Sequence, residues 1–216
     1  VDVFAGVDFE PSCKETYEKN NNALFINKSI IDISVKEIKE LFKKNTTKNN
    51  YTMLAGCAPC QPYSMINTRK KQDDDRKTLL DEFRRVINGV KPHFVLMENV
   101  SRLNEENPYF SKFIDMLEKN NYKYEYKVLN AKDFIPQSRE RFFCISQLDG
   151  TDEIKVEKKD TCPSIHDFLD LNNDELIDEY KEVMPNLTPS RITWIEKSKK
   201  LNDREYCQTI TTKQDR

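Results

Sequence analysis

The stretch YTMLAGCAPCQPYS, residues 51–64, decides how this chain reads. Apolar Met53-Leu54-Ala55 runs into Gly56 and then into Cys57-Ala58-Pro59-Cys60-Gln61-Pro62. That is the pattern of a buried strand breaking into a stiff loop. Pro59 fixes its own φ and biases Ala58 toward extended backbone, and Pro62 does the same for itself and Gln61. A cysteine held between two prolines is suited to nucleophilic attack if a neighbour raises its thiolate fraction or its attack is coupled to proton transfer. Three other readings stand beside that one. Cys60 could be an ordinary buried structural cysteine. Cys57 and Cys60 also spell C-x-x-C, the spacing of a redox pair or of half a zinc site. Zinc needs two more ligands at suitable spacing, whereas Cys13, Cys144, Cys162 and Cys207 are scattered and the only histidines are His93 and His166. No metal is therefore expected. A redox pair opens a helix directly, and Gln61-Pro62-Tyr63-Ser64 is a poor helix start.

The chain has 216 residues, of which 33% are charged and 37% hydrophobic, and a net charge of −2. That balance indicates a folded chain with a polar surface rather than a disordered one. It provides no global basic field, although a local basic groove is still compatible with it. Arg69-Lys70-Lys71, Arg84-Arg85, Arg139/Arg141 and Lys197-Ser198-Lys199-Lys200 are local basic groups, each more often a solvated face. No apolar run reaches membrane-spanning length, and the N-terminus lacks a signal-peptide pattern. Six irregularly spaced cysteines point to a reducing cytoplasm. Only four glycines occur, against about fifteen for average usage.

Taken in order, Val1–Gly6 reads as a buried strand ending in a glycine turn, and Val7-Asp8-Phe9 as the end of another. Two parallel strands need a crossover of roughly ten residues or more, and none separates these, so a segment is expected to be missing between Gly6 and Val7. Pro11 suits the first turn of a helix carrying Cys13 and Tyr17. A short extended piece at 23–25 precedes residues 29–33, and Ser34-Val35-Lys36-Glu37 spells a capping box opening a helix over 35–43. A strand over 51–56 leads into the Cys60 loop, followed by a polar loop at 65–76. Residues 78–89 form an amphipathic helix capped by Gly89. PHFVLME, residues 92–98, is a buried strand ending in a carboxylate. A helix over 109–120, a strand over 122–129, a polar turn over 137–141 and a strand over 141–146 complete the pattern.

Strands alternating with helices indicate an α/β fold with a parallel sheet. Ligands bind at the carboxyl ends of such strands, where Gly6, Asp8, Asp32, Cys60 and Glu98 all fall. From residue 151 the chain turns polar, with few periodic segments (164–169, 176–183, 192–201 and 208–212), so we divide it into domains 1–150 and 151–216. Thiolate attack on an electron-poor ring carbon becomes feasible when a carboxyl group such as Glu98 attends a ring nitrogen. An arginine can hold a neighbouring carbonyl oxygen as charge develops. Asp8 and Asp32 suit ribose hydroxyls and an adenine amino group.

Phe4-Ala5-Gly6, GCAPCQPYS, Asp75-Arg76 through Leu79-Leu80, Glu98-Asn99-Val100 and Gln137-x-Arg139-x-Arg141 stand in this order. The chain thereby resembles the DNA (cytosine-5)-methyltransferases over nearly all of residues 1–148. The resemblance implies a Rossmann-like S-adenosylmethionine-dependent methyltransferase fold with a smaller, partly represented target-recognition domain. It implies Cys60, Glu98, Arg139 and Arg141 as catalytic residues. Phe4, Ala5, Gly6, Asp8, Phe9, Asp32, Ile33, Pro59 and Leu79 would bind S-adenosyl-L-methionine. Gln61, Ser64, Asn99, Gln137, Thr211 and Thr212 would meet DNA, although Gln208–Thr212 also reads as an ordinary Thr-rich strand. The implied activity is transfer of a methyl group to C5 of a flipped-out cytosine in double-stranded DNA. A cytoplasmic monomer working beside a cognate restriction endonuclease is expected. The departures are the missing second half of the FAGxGG cofactor loop and the missing late GN-containing motif. A catalytically inactive DNA-binding relative and a C-x-x-C thiol oxidoreductase are the alternatives.

Overall fold

Short apolar runs become strands, and amphipathic runs become the helices between them, in the computed structural model. It describes residues 2–47, 50–57, 79–101, 103 and 107–150, and the backbone of 207–208. The strands are β1 (Ala5–Asp8), β2 (Leu24–Asn27), β3 (Met53–Cys57), β4 (Phe94–Val100), β5 (Tyr122–Asn130), β6 (Gln137–Ser138), β7 (Glu140–Leu148) and β8 (Cys207–Gln208). The helices are α1 (Lys14–Asn21), α2 (Val35–Asn45), α3 (Leu79–Val90) and α4 (Pro108–Lys119). Contacts divide the chain into two units. One holds Val1–Val128 with Phe142–Lys155, and the other holds Leu129–Arg141 with Val156–Arg216.

In the first unit β1 pairs in parallel with β2, from Ala5 opposite Leu24 to Asp8 opposite Asn27. A second sheet has the order β3-β4-β7-β5. Its β3 and β4 are parallel, from Met53 opposite Phe94 to Cys57 opposite Glu98. The last residue of β7, Leu148, donates its N–H to His93 just before β4, and Asp149 donates to Asn121 just before β5. The end of β7 thus lies beside the beginnings of both neighbours, so it runs against them, unlike the parallel strands the alternation implied. The reason is its connection: residues 131–139 hold a 3-10 turn and β6 but no crossover helix, which a parallel return requires.

Alternation along β4 settles which way its side chains face. Val95 and Met97 are buried with α3 and α4 in the main core, whereas Phe94, Leu96 and Glu98 are only half-buried on the other face. Leu80, Phe83 and Ile87 carry α3 into that core, and Val86 joins it to a second cluster with Ile33, Ile38 and Phe42. Burial of such side chains contributes about 1.5–3 kcal/mol each. The α2 cap is as the sequence implies. Ser34 accepts from the Glu37 N–H, and Glu37 reaches back to the Ser34 N–H.

Four local expectations change. No turn forms at Gly6; β1 runs unbroken through Gly6 and Val7, because both continue the ladder with Phe25 and Ile26. Asp32, expected at the end of a strand, instead lies in a turn over 29–33 beyond β2, with its N–H donated to Ser29 O. Gly89 lies inside α3; the left-handed residue ending the helix is Lys91 at φ 53°. Part of the expected polar turn over 137–141 is β6, paired in the second unit with β8, Gln137 opposite Cys207 and Ser138 opposite Gln208.

Candidate active site

Four expected site residues sit on or after the carboxyl ends of β1, β2 and β4. Asp8 closes β1; its Oδ1 accepts from the Glu10 N–H at 2.8 Å and its backbone O from Asn27 Nδ2 at 3.1 Å. Phe9 follows with 71% of its surface exposed. Asp32, also exposed, lies in the turn beyond Asn27, the residue paired with Asp8. Glu98 lies on β4 in the second sheet, opposite Cys57 at the end of β3. The Cys57 thiol donates a hydrogen bond to Glu98 Oε2. Parallel register puts both side chains on the same face, away from α3, so the thiol meets the carboxylate without bending either strand.

Other expected residues take supporting places. Phe4 packs edge-on against Phe42, ring centroids 5.4 Å apart. The space beside Gly6 is filled by the Tyr17 ring, so any side chain there would strike it. Ile33 is 2% exposed and belongs to the core. Ala5 is half-buried within β1, and Leu79 opens α3, also half-buried. Asn99 is 2% exposed, and its Oδ1 accepts from the Val100 N–H at 2.9 Å. That placement braces the strand end carrying Glu98. In the second unit, Asn130 Oδ1 accepts from the Arg139 N–H at 3.0 Å and the Lys132 N–H at 3.1 Å. Arg139 O in turn accepts from Ala131 at 2.9 Å, and Arg141 Nη1 donates to Glu140 O at 2.7 Å. Gln137 lies on β6. Cys60, Pro59, Gln61, Ser64, Thr211 and Thr212 lie outside the described residues.

Two features escaped the sequence reading. Leu103, fully buried, plugs the turn after β4 into the main core, and its N–H is donated to Val100 O at 3.0 Å. Arg85, grouped above with solvated basic residues, reaches from α3 to the 29–33 turn and donates to Ile30 O and Ile33 O, both at 2.9 Å. Its position beside apolar Val86 and three residues after Glu82 was the available signal. Among the described residues, no cluster of His, Cys, Asp and Glu could hold a metal ion, and no helix is long and apolar enough to cross a membrane.

Helices packed on two sheets, with polar side chains at the carboxyl ends of β1 and β4, give the Rossmann-like methyltransferase fold shared with solved methyltransferases, the class of this protein. The family described as C-5 cytosine-specific DNA methylase matches residues 1–215, and the chain belongs to that family. It is 37% identical over 155 residues to the Type II methylase M.HgiDII of Herpetosiphon aurantiacus, covering 70% of this chain and 42% of that protein. With the Type II methyltransferase M.Bsp6I of a Bacillus species the identity is 32% over 143 residues, covering 64% and 42%. The chain thus spans about two fifths of the length of these curated relatives. Among solved structures, the Entamoeba histolytica methyltransferase EhMeth superposes with a TM-score of 0.62 at 26% identity, over 78% of this chain and 52% of that one. The S. pombe Dnmt2 methyltransferase, at 21% identity and a TM-score of 0.61 over 79% and 52%, shares the fold.

Proposed function

We propose that this chain is the catalytic part of a DNA (cytosine-5)-methyltransferase of restriction–modification type, using S-adenosyl-L-methionine as methyl donor. The carrying observation is Glu98. It holds a carboxylate at the carboxyl edge, beside the end of the strand from which the chain runs on to Cys60. Cys60 comes three positions after Cys57, so covalent reach alone keeps their Cα atoms within about 11 Å. The C-x-x-C oxidoreductase reading loses ground, because Cys57 ends a strand instead of opening a helix and its thiol already serves Glu98.

The donor set on β1 and β2 fits an adenosine. Asp8 and Asp32 offer exposed carboxylates for hydroxyl and amino groups, and Phe9 offers an exposed ring face. When bound, S-adenosylmethionine supplies an electrophilic methyl group. Cys60 adds its sulfur to C6 of an extrahelical cytosine while Glu98 holds or delivers a proton at N3, so electron density builds at C5. Arg141 steadies the base's O2, and Arg139 braces its own loop or a phosphate. After C5 is methylated, a water molecule takes its proton, the freed electron pair restores the C5–C6 double bond and expels the Cys60 sulfur from C6, and Glu98 recovers the N3 proton. Residues 151–216 begin the target-recognition domain, with Gln61, Ser64, Gln137, Thr211 and Thr212 toward DNA. The test is methyl transfer to duplex DNA and covalent capture by 5-fluorocytosine DNA in the presence of donor. Capture that Cys60→Ser abolishes is expected; no capture on any cytosine-containing recognition sequence would overturn the proposal.

A further inference from the structure

We infer that Arg85 is a positioning residue for cofactor binding, a clamp that fixes the turn carrying Asp32. The inference rests on the reading of Asp32 as a contact for the adenosine. Arg85 Nη2 donates to both Ile30 O and Ile33 O at 2.9 Å, the two carbonyls flanking Ile31 and Asp32. Its Nε donates to Glu82 Oε2 at 2.6 Å, one turn back on α3. The guanidinium is thus held by the helix on one edge and grips the turn with the other. A planar fork can do this, but the point charge of a lysine cannot. Charge-assisted bonds of this kind are about twice as strong as neutral ones.

Ile30 and Ile33 pack the turn against the core, but few other hydrogen bonds hold the backbone between them. Within it, the Asp32 N–H is donated to Ser29 O and the Ile31 N–H to Ser29 Oγ at 3.3 Å, while Ile31 is 55% exposed. Ile33 is its one fully buried side chain. Asp32 itself faces solvent, so its carboxylate is placed only as well as its backbone is. The same helix begins at Leu79, directly after the segment containing Cys60. Arg85 therefore ties the turn bearing Asp32 to the helix that follows the nucleophile's loop.

The test measures binding of S-adenosylhomocysteine to the full chain by calorimetry, together with hydrogen exchange of the amides at 30–34. Arg85→Lys and Arg85→Gln are compared with Asp32→Asn and with Arg84→Gln, a control that removes the neighbouring charge paired with Asp81. Both Arg85 variants and Asp32→Asn are expected to bind about tenfold more weakly, the size of one lost bond to a charged group. Only the Arg85 variants should speed exchange at 30–34. Weakened binding in Asp32→Asn with wild-type binding in both Arg85 variants overturns the clamp and leaves the reading of Asp32 intact. Wild-type binding in Asp32→Asn, or no binding by the wild type, overturns that reading instead. In either of those cases unchanged exchange in Arg85→Lys, at an unaltered melting temperature, still overturns the clamp.

Discussion

Glu98 and Cys144 show how far one strand position can separate two reactive side chains. Glu98 is half-buried at the open edge, while Cys144 is sealed in the core, where burial pushes its thiol up to about 12. Exposed Cys57 and Cys13 should accordingly be alkylated by iodoacetamide at pH 8 in the folded protein, and Cys144 only after denaturation. Peptide mapping by mass spectrometry reads this directly, and labelling of native Cys144 would contradict the burial. Glu98→Gln keeps the shape but removes the exchangeable carboxyl proton. We expect kcat for methyl transfer to fall about 100- to 10,000-fold with the melting temperature little changed. Both residues were legible as chemistry in the sequence, Glu98 as a carboxylate ending an apolar run and Cys144 as an isolated thiol. Their environments were not, because the partner of Glu98 comes from a strand 41 residues away.

At the scale of elements, α2 carries a pH-dependent cap. Lys28 chiefly, then the Ser34 backbone and hydroxyl, hold the Glu37 carboxyl down at about 2, against its ordinary 4.5. A depressed folded value adds stability above 4.5 and loses it as pH falls toward 2. Glu37→Gln should flatten that acid limb of a urea-midpoint-against-pH curve, leaving the wild type more stable at neutral pH. Helix α3 makes a different demand. A Cβ on Gly89 would stand 2.5 Å from Val35 Cγ1, so Gly89→Ala forces the Val35 side chain, or α2 with it, to give way. A loss of about 1–2 kcal/mol is expected in urea unfolding, despite the better helix propensity of alanine. Lys91→Gly, at the left-handed position, should gain about 0.5–1 kcal/mol. The sequence showed both helices and the capping box because these are local patterns. It misplaced the α3 cap because the need for glycine at 89 comes from a neighbouring helix, which no local pattern records.

Across the whole molecule, ligand binding should report on the first unit, where Asp8, Phe9 and Asp32 lie. S-adenosylhomocysteine at 100 times its Kd should stabilise that unit by about 2.7 kcal/mol, read as a raised melting temperature that Asp8→Asn largely removes. The strand–helix alternation and the carboxyl edge were both readable from periodicity. The reversed direction of β7 was not, since it follows from the shortness of a connection rather than from its own residues. Nor was the pairing of β6 with β8, which joins residues 137–138 to 207–208. The division of labour among backbone types has a last consequence. Among the described residues every positive φ belongs to Asn22, Lys91, Asn121 or Asp149, and none to a glycine. Glycine is reserved for tight fits, as where Phe83 presses on Gly56 and Tyr17 on Gly6. A saturation mutagenesis map of this protein should therefore look inverted: its glycines reject even alanine, while its bends welcome glycine.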